Sequence, residues 1–553
     1  MRALVAALLV LLFGIADAPA QKVAAPLVGN GAVDIAGTVT SGPEGRMEGV
    51  LVSATRQDGA LTVTVVSDRQ GRYDFPVDKL PPGLYRLSVR ATGYTLDSEP
   101  SVTVAPDRPA SADLRLSPIS DIAPQLTNAE WLQSIPGSDN DKKTLLDCMS
   151  CHTIERIVRS THSADEFMPL LTRMANYANN STPLHPQLRV AKRTPKPDLA
   201  RAAANYLATI NLSAGPRWSY PLKVLPRPKG GATHVIITEY ALPRATMAPH
   251  DLLRDKNGIV WFSEFGDQAL GALDPATGKV TEYPIPTLKP GFPTGTLALE
   301  PDNKGSYWLA MMFQGGLAKF DIATKTFRTF AIPAALNSDA AQQSMVMPRS
   351  LGVDGKVWTN MVNRQSVMRL DLATGAFELI DPFSASPPGP EHSPYGMVAD
   401  ARNDLYFMDF GDTNIVRIDA KTLAPTIYPT PTPASRPRRG MIDAQGRIWF
   451  AEFAADRIGM FDTRSAQFKE WPVPTPWTAP YDAALDRTGK VWSAGMASDR
   501  VVRLDPATGH SVEYLLPHQT NIRRIFIDNS TTPPTFWAGN NHHASIIKLE
   551  VLN

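Results

Sequence analysis

The chain has 553 residues, with 55 Lys and Arg against 54 Asp and Glu, so its formal net charge at pH 7 is +1. This balance gives no electrostatic case for nucleic acid or an anionic membrane surface as a partner. Its 49 prolines are an unusually large share, but 43% of the residues are hydrophobic, which excludes disorder and favours proline-edged strands and turns. The length suggests about three domains.

The N-terminal segment has the layout of a secretory signal peptide. Arg2 precedes an apolar run from Ala3 to Ile15, and the small residues Ala18 and Ala20 occupy the −3 and −1 positions of a cleavage site before Gln21. The run is too short to span a bilayer, and no later stretch reaches about 18 uninterrupted apolar residues. We therefore expect residues 1–20 to be removed. The mature chain should be soluble and exported, to the Gram-negative periplasm or outside the cell.

Residues 33–118 alternate as strands do, in "DIAGTVT", "GVLVSATRQ", "LTVTVVSD", "GLYRLSVRATGY" and "SADLRLS". Gly71, Gly83 and Gly93 punctuate the turns, so this stretch predicts a small antiparallel β-sandwich. The run from "GTVT" to "RATGY" resembles the carboxypeptidase regulatory-like domain, which has a transthyretin-like fold. That resemblance implies a spacer or interaction module without catalytic residues.

The two cysteines of the chain, Cys148 and Cys151, are three positions apart, and His152 follows directly. In the Cys-x-x-Cys-His pattern the thiols attach to the porphyrin vinyl groups and the imidazole binds the iron. A thioredoxin-like redox pair would need a βαβ context, and a zinc site would need a second Cys pair. The motif therefore predicts one covalent haem c with His152 as the proximal ligand, and no disulfide.

Residues 123–212 change to a helical rhythm. "SADEFMPLLTRMANYANN" begins with Ser163 as an N-cap and then places apolar residues three and four positions apart, at Phe167, Leu170, Leu171 and Met174. "PDLARAAANYLATINL" predicts a second helix. With "CMSCH" as attachment motif and "NYLATI" as C-terminal helix, the segment resembles a class I cytochrome c domain, which implies a small α-helical electron carrier.

The second axial ligand of the iron has several candidates. A thioether would raise the potential, whereas a second histidine would lower it. We favour Met174, because it shares the apolar stripe of its helix, with Met168 as the alternative; His162 and His185 are the imidazole options. Each of these residues also has an ordinary structural role open to it, in core packing or on the surface.

Residues 213–231 lose all periodicity and are predicted to be a linker, and residues 232–553 form a repeat array. A strand with a central aromatic recurs every 43 to 50 residues, at Trp261, Trp308, Trp358, Tyr406, Trp449, Trp492 and Trp537. Turns such as "DKNG" precede it and turns such as "DPATG" follow it. Four short strands per unit, seven times over, predict a seven-bladed β-propeller. The fold class is thus mainly β and multidomain.

The last repeat ends at "IIKLEVLN" without an obvious fourth strand, while "VIITEYALP", Val235–Pro243, precedes the first repeat as an orphan strand. We expect this N-terminal strand to complete the seventh blade and close the ring, since closure removes the free sheet edges.

Several innermost strands begin with Pro-x-x, and a carboxylate stands fourteen residues beyond the middle position of three of them, at Glu264, Asp409 and Glu452. Because the first strand of a blade starts where the second one ends, these residues should meet at one rim, which we call the propeller mouth. The remaining mouth candidates are charged or imidazole residues, His250, Asp251, Arg349, Arg438, Arg439, Asp482, Arg523 and Arg524, and "NNHH" at 540–543 lies near the same rim. Five arginines would suit a small anionic organic ligand or an acidic patch on a partner. Alternatively, such polar residues bind only water.

The repeats "PHDLLRDKNGIVWFSEFGDQALGALDPATG" and "RGMIDAQGRIWFAEFAADRIGMFD" resemble the virginiamycin B lyase (streptogramin lyase) family, a seven-bladed propeller. The resemblance implies magnesium-assisted elimination of an ester oxygen from a cyclic peptide antibiotic, with His250 as base and Glu264, joined by Glu452, as metal ligand. This chain departs from the pattern where Ala248 replaces a glutamate and Arg523 stands in place of a second histidine.

These observations favour an exported haem protein that exchanges single electrons with a periplasmic redox partner, while its propeller binds a substrate or partner. A lyase would need no electron carrier, which makes that activity the alternative. A non-enzymatic scaffold is the third possibility, since propellers commonly bind partners.

Overall fold

The computed structural model describes residues 33–57, 59–106, 108–348, 351–384 and 391–552. The predicted signal peptide and Arg349 lie outside the described residues. None of the helices in the described ranges combines the length and the apolar character that a bilayer crossing requires.

The first domain is the predicted sandwich. Its strands are β1 (Val33–Ser41), β2 (Gly45–Arg46), β3 (Leu51–Arg56), β4 (Leu61–Val66), β5 (Arg72–Pro76), β6 (Gly83–Arg90), β7 (Tyr94–Leu96), β8 (Ser101–Val104), β9 (Ala110–Ser111) and β10 (Leu114–Pro118). One sheet has the order β2-β1-β10-β7, with β5 and β9 also paired to β1, and the other contains β4-β3-β6-β8. Residues such as Val39, Val52 and Leu87 fill a shared core between the sheets, which apolar burial stabilises.

The helical segment, residues 123–212, contains α1 (Asn128–Ser134), α2 (Asp139–Lys143), α3 (Leu145–Cys148), α4 (Glu155–Val158), α5 (Ala164–Ala175) and α6 (Pro197–Ile210), with 3₁₀ turns at Ala123–Gln125 and Leu212–Ala214. Ser163 caps α5 as predicted, since its hydroxyl accepts from the Glu166 amide and the Glu166 carboxylate accepts from the Ser163 amide. Tyr206 of α6 donates to the Pro136 carbonyl at 2.9 Å, just beyond α1.

The structure does not support an independent class I cytochrome c domain in this segment. Three of its helices are only four or five residues long. Its buried residues, including Trp131 and Met149, belong to the same apolar core as Phe265 and Tyr481 of the propeller. The segment therefore packs as a cover on the propeller, because its own apolar faces are completed by propeller residues.

The predicted linker is also packed rather than free. The Trp218 ring lies edge-on against Trp131 with centroids 5.2 Å apart. Arg227 donates to the Glu48 carbonyl at 3.0 Å and pairs with Glu44 at 2.6 Å, which ties the linker to the sandwich. A third 3₁₀ turn, Gly230–Thr233, leads into the propeller.

The propeller has the predicted seven blades. Six are four-stranded sheets in chain order: β12 (Pro249–Arg254), β13 (Val260–Glu264), β14 (Ala269–Asp274), β15 (Lys279–Pro284); β16 (Leu299–Pro301), β17 (Ser306–Ala310), β18 (Gly316–Asp321), β19 (Thr326–Ala331); β20 (Val346–Met347), β21 (Lys356–Met361), β22 (Ser366–Asp371), β23 (Phe377–Ile380); β24 (Pro394–Ala399), β25 (Leu405–Asp409), β26 (Asn414–Ile418), β27 (Pro425–Pro429); β28 (Pro437–Ile442), β29 (Arg447–Glu452), β30 (Arg457–Asp462), β31 (Gln467–Pro472); β32 (Pro480–Leu485), β33 (Val491–Gly495), β34 (Arg500–Leu504), β35 (Ser511–Leu515). The third blade also carries α7 (Leu351–Asp354) and a 3₁₀ turn, Val362–Arg364.

The seventh blade is closed by the N-terminal strand, as the sequence predicts. It consists of β36 (Ile522–Asp528), β37 (Thr535–Asn540), β38 (Ser545–Val551) and the early strand β11 (Val235–Ala241). β11 pairs antiparallel with β38 from Val235–Val551 to Ala241–Ser545. Its other edge pairs with β4 of the sandwich, so blade seven and one sandwich sheet form a continuous eight-stranded sheet. This pairing covers the outer edge of the blade.

Candidate functional site

The register at the propeller mouth matches the prediction. Pro249 pairs with Glu264, Pro394 with Asp409, and Pro437 with Glu452. A bulge follows each proline pair, so the next residue of the innermost strand leaves the regular ladder. The strand-end carboxylates and the Pro-x-x starts therefore lie side by side in these three blades.

His250 is sealed inside the mouth. Its side chain is buried, its Nδ1 lies 2.8 Å from the Asp251 Oδ1, and its Nε2 lies 3.1 Å from the Tyr481 hydroxyl. The Phe265 ring packs on it with centroids 4.7 Å apart. Burial lowers the pKa of His250 to about 3, although Asp251 opposes this, so the imidazole is neutral. Both ring nitrogens already have partners in the protein.

The centre of the mouth is filled by paired charges. Arg439 donates two hydrogen bonds to Asp251, at 2.7 and 2.9 Å. Arg524 lies 2.9 Å from Glu300 and 3.2 Å from Asp482. Burial alone would raise the pKa of Asp251, but Arg439 above all holds it well below its usual range. This network neutralises the charges that the sequence places there.

The other two arginines at the mouth are also engaged. Arg438 lies over the Tyr481 ring at 4.0 Å and the Phe410 ring at 4.4 Å. Arg523 donates to the Asn521 side chain at 2.9 Å and to the Ser150 carbonyl at 2.8 Å. Arg439, Arg523 and Arg524 are thus hydrogen-bonded or ion-paired within the protein, whereas Arg438 has aromatic contacts and its buried Nε has no hydrogen-bond partner among the described residues.

Glu264 and Glu452, the candidate magnesium ligands, stand at the ends of the second strands of blades one and five. Glu264 is buried and accepts from the Ala248 amide at 3.1 Å. Burial raises its pKa to about 8, and burial together with the neighbouring Glu470 raises that of Glu452 to about 8. A magnesium ion held by these two carboxylates stays a prediction.

Asp409 belongs to a cluster that the sequence analysis missed. His392 Nδ1 lies 2.6 Å from Asp409 Oδ2, and Asp412 completes a group whose ligand atoms all lie within 4.8 Å of one another. The side-chain amide of Asn414 also donates to the carboxylates of Asp409 and Asp412, at 3.3 and 3.2 Å respectively. His392 stacks on Phe383 with centroids 3.6 Å apart. The sequence could have indicated this cluster through His392, which lies two positions before the Pro-x-x element that begins at Pro394.

The helical segment covers the mouth. The Asn521 side chain donates to the Met149 carbonyl at 3.0 Å, and the Ala129 amide donates to the Ala497 carbonyl at 2.9 Å. Asn180, a buried side chain, donates to the Phe265 carbonyl at 3.0 Å. Contacts on several sides of the ring therefore hold residues 123–212 over the rim where His250 lies.

Beside this cover, a cavity of about 580 Å³ remains between the helical segment and the propeller. The helical segment contributes Cys151, His152 and the basic residues Arg156 and Arg159 to its lining. The propeller contributes mostly polar and imidazole residues from four loops: Thr246, Met247, Asp499, His518, Gln519, Thr520, Asn541, His542 and His543. Four of the ten histidines of the chain therefore face one cavity, which is large enough for a sizeable ligand.

The Cys-x-x-Cys-His motif lies at the end of α3 and the turn that follows. Both cysteines are free thiols. Burial, followed by the charge of Asp147, raises the pKa of Cys148 to about 12, and burial also raises that of Cys151. His152 Nδ1 lies 3.0 Å from the Thr153 carbonyl, which can accept its proton and leaves Nε2 with the lone pair.

The predicted second axial ligands lie elsewhere. Met174 is 40% exposed and lies outside the buried core. Met168 packs against the shared core. Neither methionine lines the cavity that His152 faces. A methionine as second ligand of the iron therefore stays a prediction.

The comparisons with known proteins match two regions of the chain. The carboxypeptidase regulatory-like domain matches residues 34–117, and the virginiamycin B lyase family matches residues 384–551, which hold the last four blades. No curated protein matches the chain. The N-terminal sandwich and the propeller family resemblance are thus confirmed, whereas a cytochrome c-like domain is not among the matches.

Solved structures resemble the propeller. A streptogramin B lyase structure is 20% identical, with a TM-score of 0.50, and covers 58% of this chain and 100% of its own. A catalytically inactive virginiamycin B lyase from Staphylococcus aureus, with quinupristin, is also 20% identical, with a TM-score of 0.49, and covers 57% and 100% respectively. At this identity the likeness to the first structure concerns the fold alone.

Proposed function

We propose that the chain is an exported c-type haem protein in which Cys148 and Cys151 carry the haem and His152 binds its iron. The observation that carries the proposal is that this motif opens onto a cavity of about 580 Å³ lined by further histidines. The N-terminal segment supports export, because residues 1–20 have the layout of a secretory signal peptide.

The donor groups fit a haem c. Cys148 and Cys151 are both free thiols three positions apart, so both are available for the covalent bonds to a haem. The hydrogen bond from His152 Nδ1 to the Thr153 carbonyl orients the ring and keeps Nε2 for the iron. When bound, the haem would supply one-electron chemistry.

The remaining lining residues would orient the group and control its access to water. Arg156 can pair with a haem propionate, as guanidinium groups bind carboxylates well, whereas Arg159 already pairs with Glu155 at 2.6 Å. The buried side chains of Asn128 and Thr520 close the inner wall. Since Arg156 and Arg159 are exposed, the same edge offers a place at which a periplasmic redox partner could exchange electrons.

The proposal is tested by producing the full chain in cells competent for cytochrome c maturation. We expect one haem per chain in the pyridine haemochrome spectrum and in the mass of the denatured protein. Cys148→Ala combined with Cys151→Ala should remove it, whereas Ser150→Ala, between the cysteines, should not. An unmodified mass of the wild-type chain would contradict the proposal. Substrates can then be screened by haem reduction.

A lyase is the second candidate, since the virginiamycin B lyase family matches the propeller. His250 and Glu264 occupy the positions that the family resemblance assigns to them. Against this activity, His250 is buried with both nitrogens engaged, and the helical segment lies over the mouth. A lyase reaction would require this cover to move and Glu264 to lose its proton.

The two functions are separated by assaying magnesium-dependent opening of a streptogramin-type lactone. We expect no turnover by the full chain. Turnover that is abolished by EDTA and by His250→Ala would show that the lyase is the correct function. The haem function would be excluded only if the mass of the denatured chain also lacked the haem.

A further inference from the structure

The cavity has two walls from distant parts of the chain. The helical segment brings His152, and the propeller brings His518, His542 and His543. A haem attached through Cys148 and Cys151 would therefore meet imidazole groups from the propeller. The assignment of one of these imidazoles to the iron rests on the proposed haem function.

His518 and His543 are engaged with each other. Their rings stack with centroids 4.7 Å apart, and His518 Nε2 lies 3.2 Å from Glu239 Oε2. The Nε2 atom of His518 is therefore already engaged by the Glu239 carboxylate. His543 is exposed at the outer side of this stack.

His542 differs from these two residues. It is half-buried, and its Nε2 lies 3.4 Å from the Ser150 carbonyl, between the two cysteines. It is therefore the propeller imidazole that lies against the attachment loop, whereas the Nε2 atom of His518 is engaged by Glu239.

The turn that carries His542 is held in place. It joins β37 to β38, and the Asn540 side chain accepts from the His542 amide and from the Asn521 amide, both at 3.2 Å. The neighbouring Asn541 side chain donates to the Pro249 carbonyl. Such anchoring positions a ligand side chain before the metal group arrives, which is the usual requirement of a preorganised site.

We propose that His542 is the second axial ligand, so that the haem iron is held between His152 of the helical segment and His542 of the propeller. Two imidazoles would give the haem a lower potential than a His–Met pair. The iron would also join the cover to the seventh blade, and so link the redox centre to the propeller.

The test compares spectra of the full haem-loaded chain and its variants. The wild type should give the electron paramagnetic resonance signal of low-spin ferric haem with two imidazoles, and no sulfur-to-iron band. His542→Ala should convert it to a high-spin form that added imidazole returns to low spin. His543→Ala, on the adjacent residue, and Met174→Ala should leave the signal unchanged.

A second variant protects the test against poor folding. In His542→Met a sulfur-to-iron band should appear and the potential should rise. A haem-loaded His542→Ala chain with the wild-type spectrum would overturn the assignment while leaving the proposed function intact. A wild-type chain without covalent haem would overturn both, so the two failures are distinguishable by mass.

Discussion

The propeller mouth and the cavity beside it differ in how their charged and imidazole groups are satisfied. At the mouth, Arg439 is matched by Asp251 at 2.7 and 2.9 Å, and His250 has a partner on each ring nitrogen. In the cavity, a volume of about 580 Å³ lies between the propeller loops and the wall that contains His152. The mouth stabilises the ring, whereas the cavity has space for a ligand.

This difference shows why a cluster of charges does not by itself identify a site. The mouth contains more charged residues than the cavity, but buried charges of opposite sign are placed to neutralise one another. The family resemblance directs attention to the mouth, yet the helical segment covers it. Removal of single charged or hydrogen-bonding groups should therefore show how much each contributes to stability.

The largest effect is expected from breaking the charge network of the mouth. Arg439→Met leaves the buried Asp251 carboxylate without its bidentate partner, and we expect a loss of about 3–5 kcal/mol in the free energy of unfolding, measured with urea. The control is Arg201→Met, which breaks an exposed pair with Asp165 and should cost below about 1 kcal/mol. Equal stabilities for both variants would show that the network contributes little.

The next effect concerns pH. Glu264 and Glu452 have pKa values raised to about 8 in the folded chain, from an ordinary 4.5. The folded state therefore keeps protons that the unfolded state releases, so stability should fall as pH rises from 4.5 to 8 and level off above it. The slope is at most about 1.4 kcal/mol per pH unit for each group.

Urea unfolding between pH 5 and 8 checks this dependence. Glu452→Gln should reduce the slope, because the amide is a neutral analogue of the protonated carboxyl. Glu99→Gln, at an exposed position, should leave the slope unchanged. A free energy of unfolding that rises over this pH interval in both the wild type and Glu452→Gln would contradict the raised pKa values of Glu264 and Glu452.

Local repeats made the fold predictable from the sequence. The recurring aromatic strands predicted seven blades. The Pro-x-x starts predicted the pairing of Pro249 with Glu264, and the unpaired segment before the first repeat predicted β11 as the closing strand. The Ser163 cap was also readable, since it depends on residues three positions apart. These features follow from short-range spacing, which a single sequence records.

The candidate site was predictable only in part. Cys148, Cys151 and His152 form a local motif, so the sequence identified them. The arginines that pair with Asp251 lie far from it in the sequence, and so do the propeller residues opposite His152. The packing of the helical segment on the propeller also leaves no repeating pattern in the sequence. The second ligand of the iron stays a prediction for a related reason, because a helical stripe such as the one that contains Met174 does not reveal which part of it another element will bury.

A moderate effect is expected at the contact between the attachment loop and the propeller. Asn521→Ala removes the donor to the Met149 carbonyl at 3.0 Å and the acceptor for Arg523 at 2.9 Å. Leaving buried polar groups unpaired should cost about 1–3 kcal/mol, seen as a lower urea midpoint. Gln519→Ala is the matched control, because its amide donates to the Leu126 carbonyl at 3.2 Å from a half-buried position. A larger loss in that control would contradict the idea that Asn521 anchors the loop.

The smallest effect is expected where the cover meets the propeller in solvent. Arg436 lies 3.2 Å from Asp147, whose side chain is 72% exposed, and it also lies over the Phe410 ring at 4.2 Å. Water and salt screen the exposed ion pair, so Asp147→Asn should change the free energy of unfolding by less than about 1 kcal/mol. Arg436→Ala should cost more, because it also loses the contact with the ring. Equal losses in both variants, decreasing together as salt is added, would show that the ion pair and not the aromatic contact holds this edge.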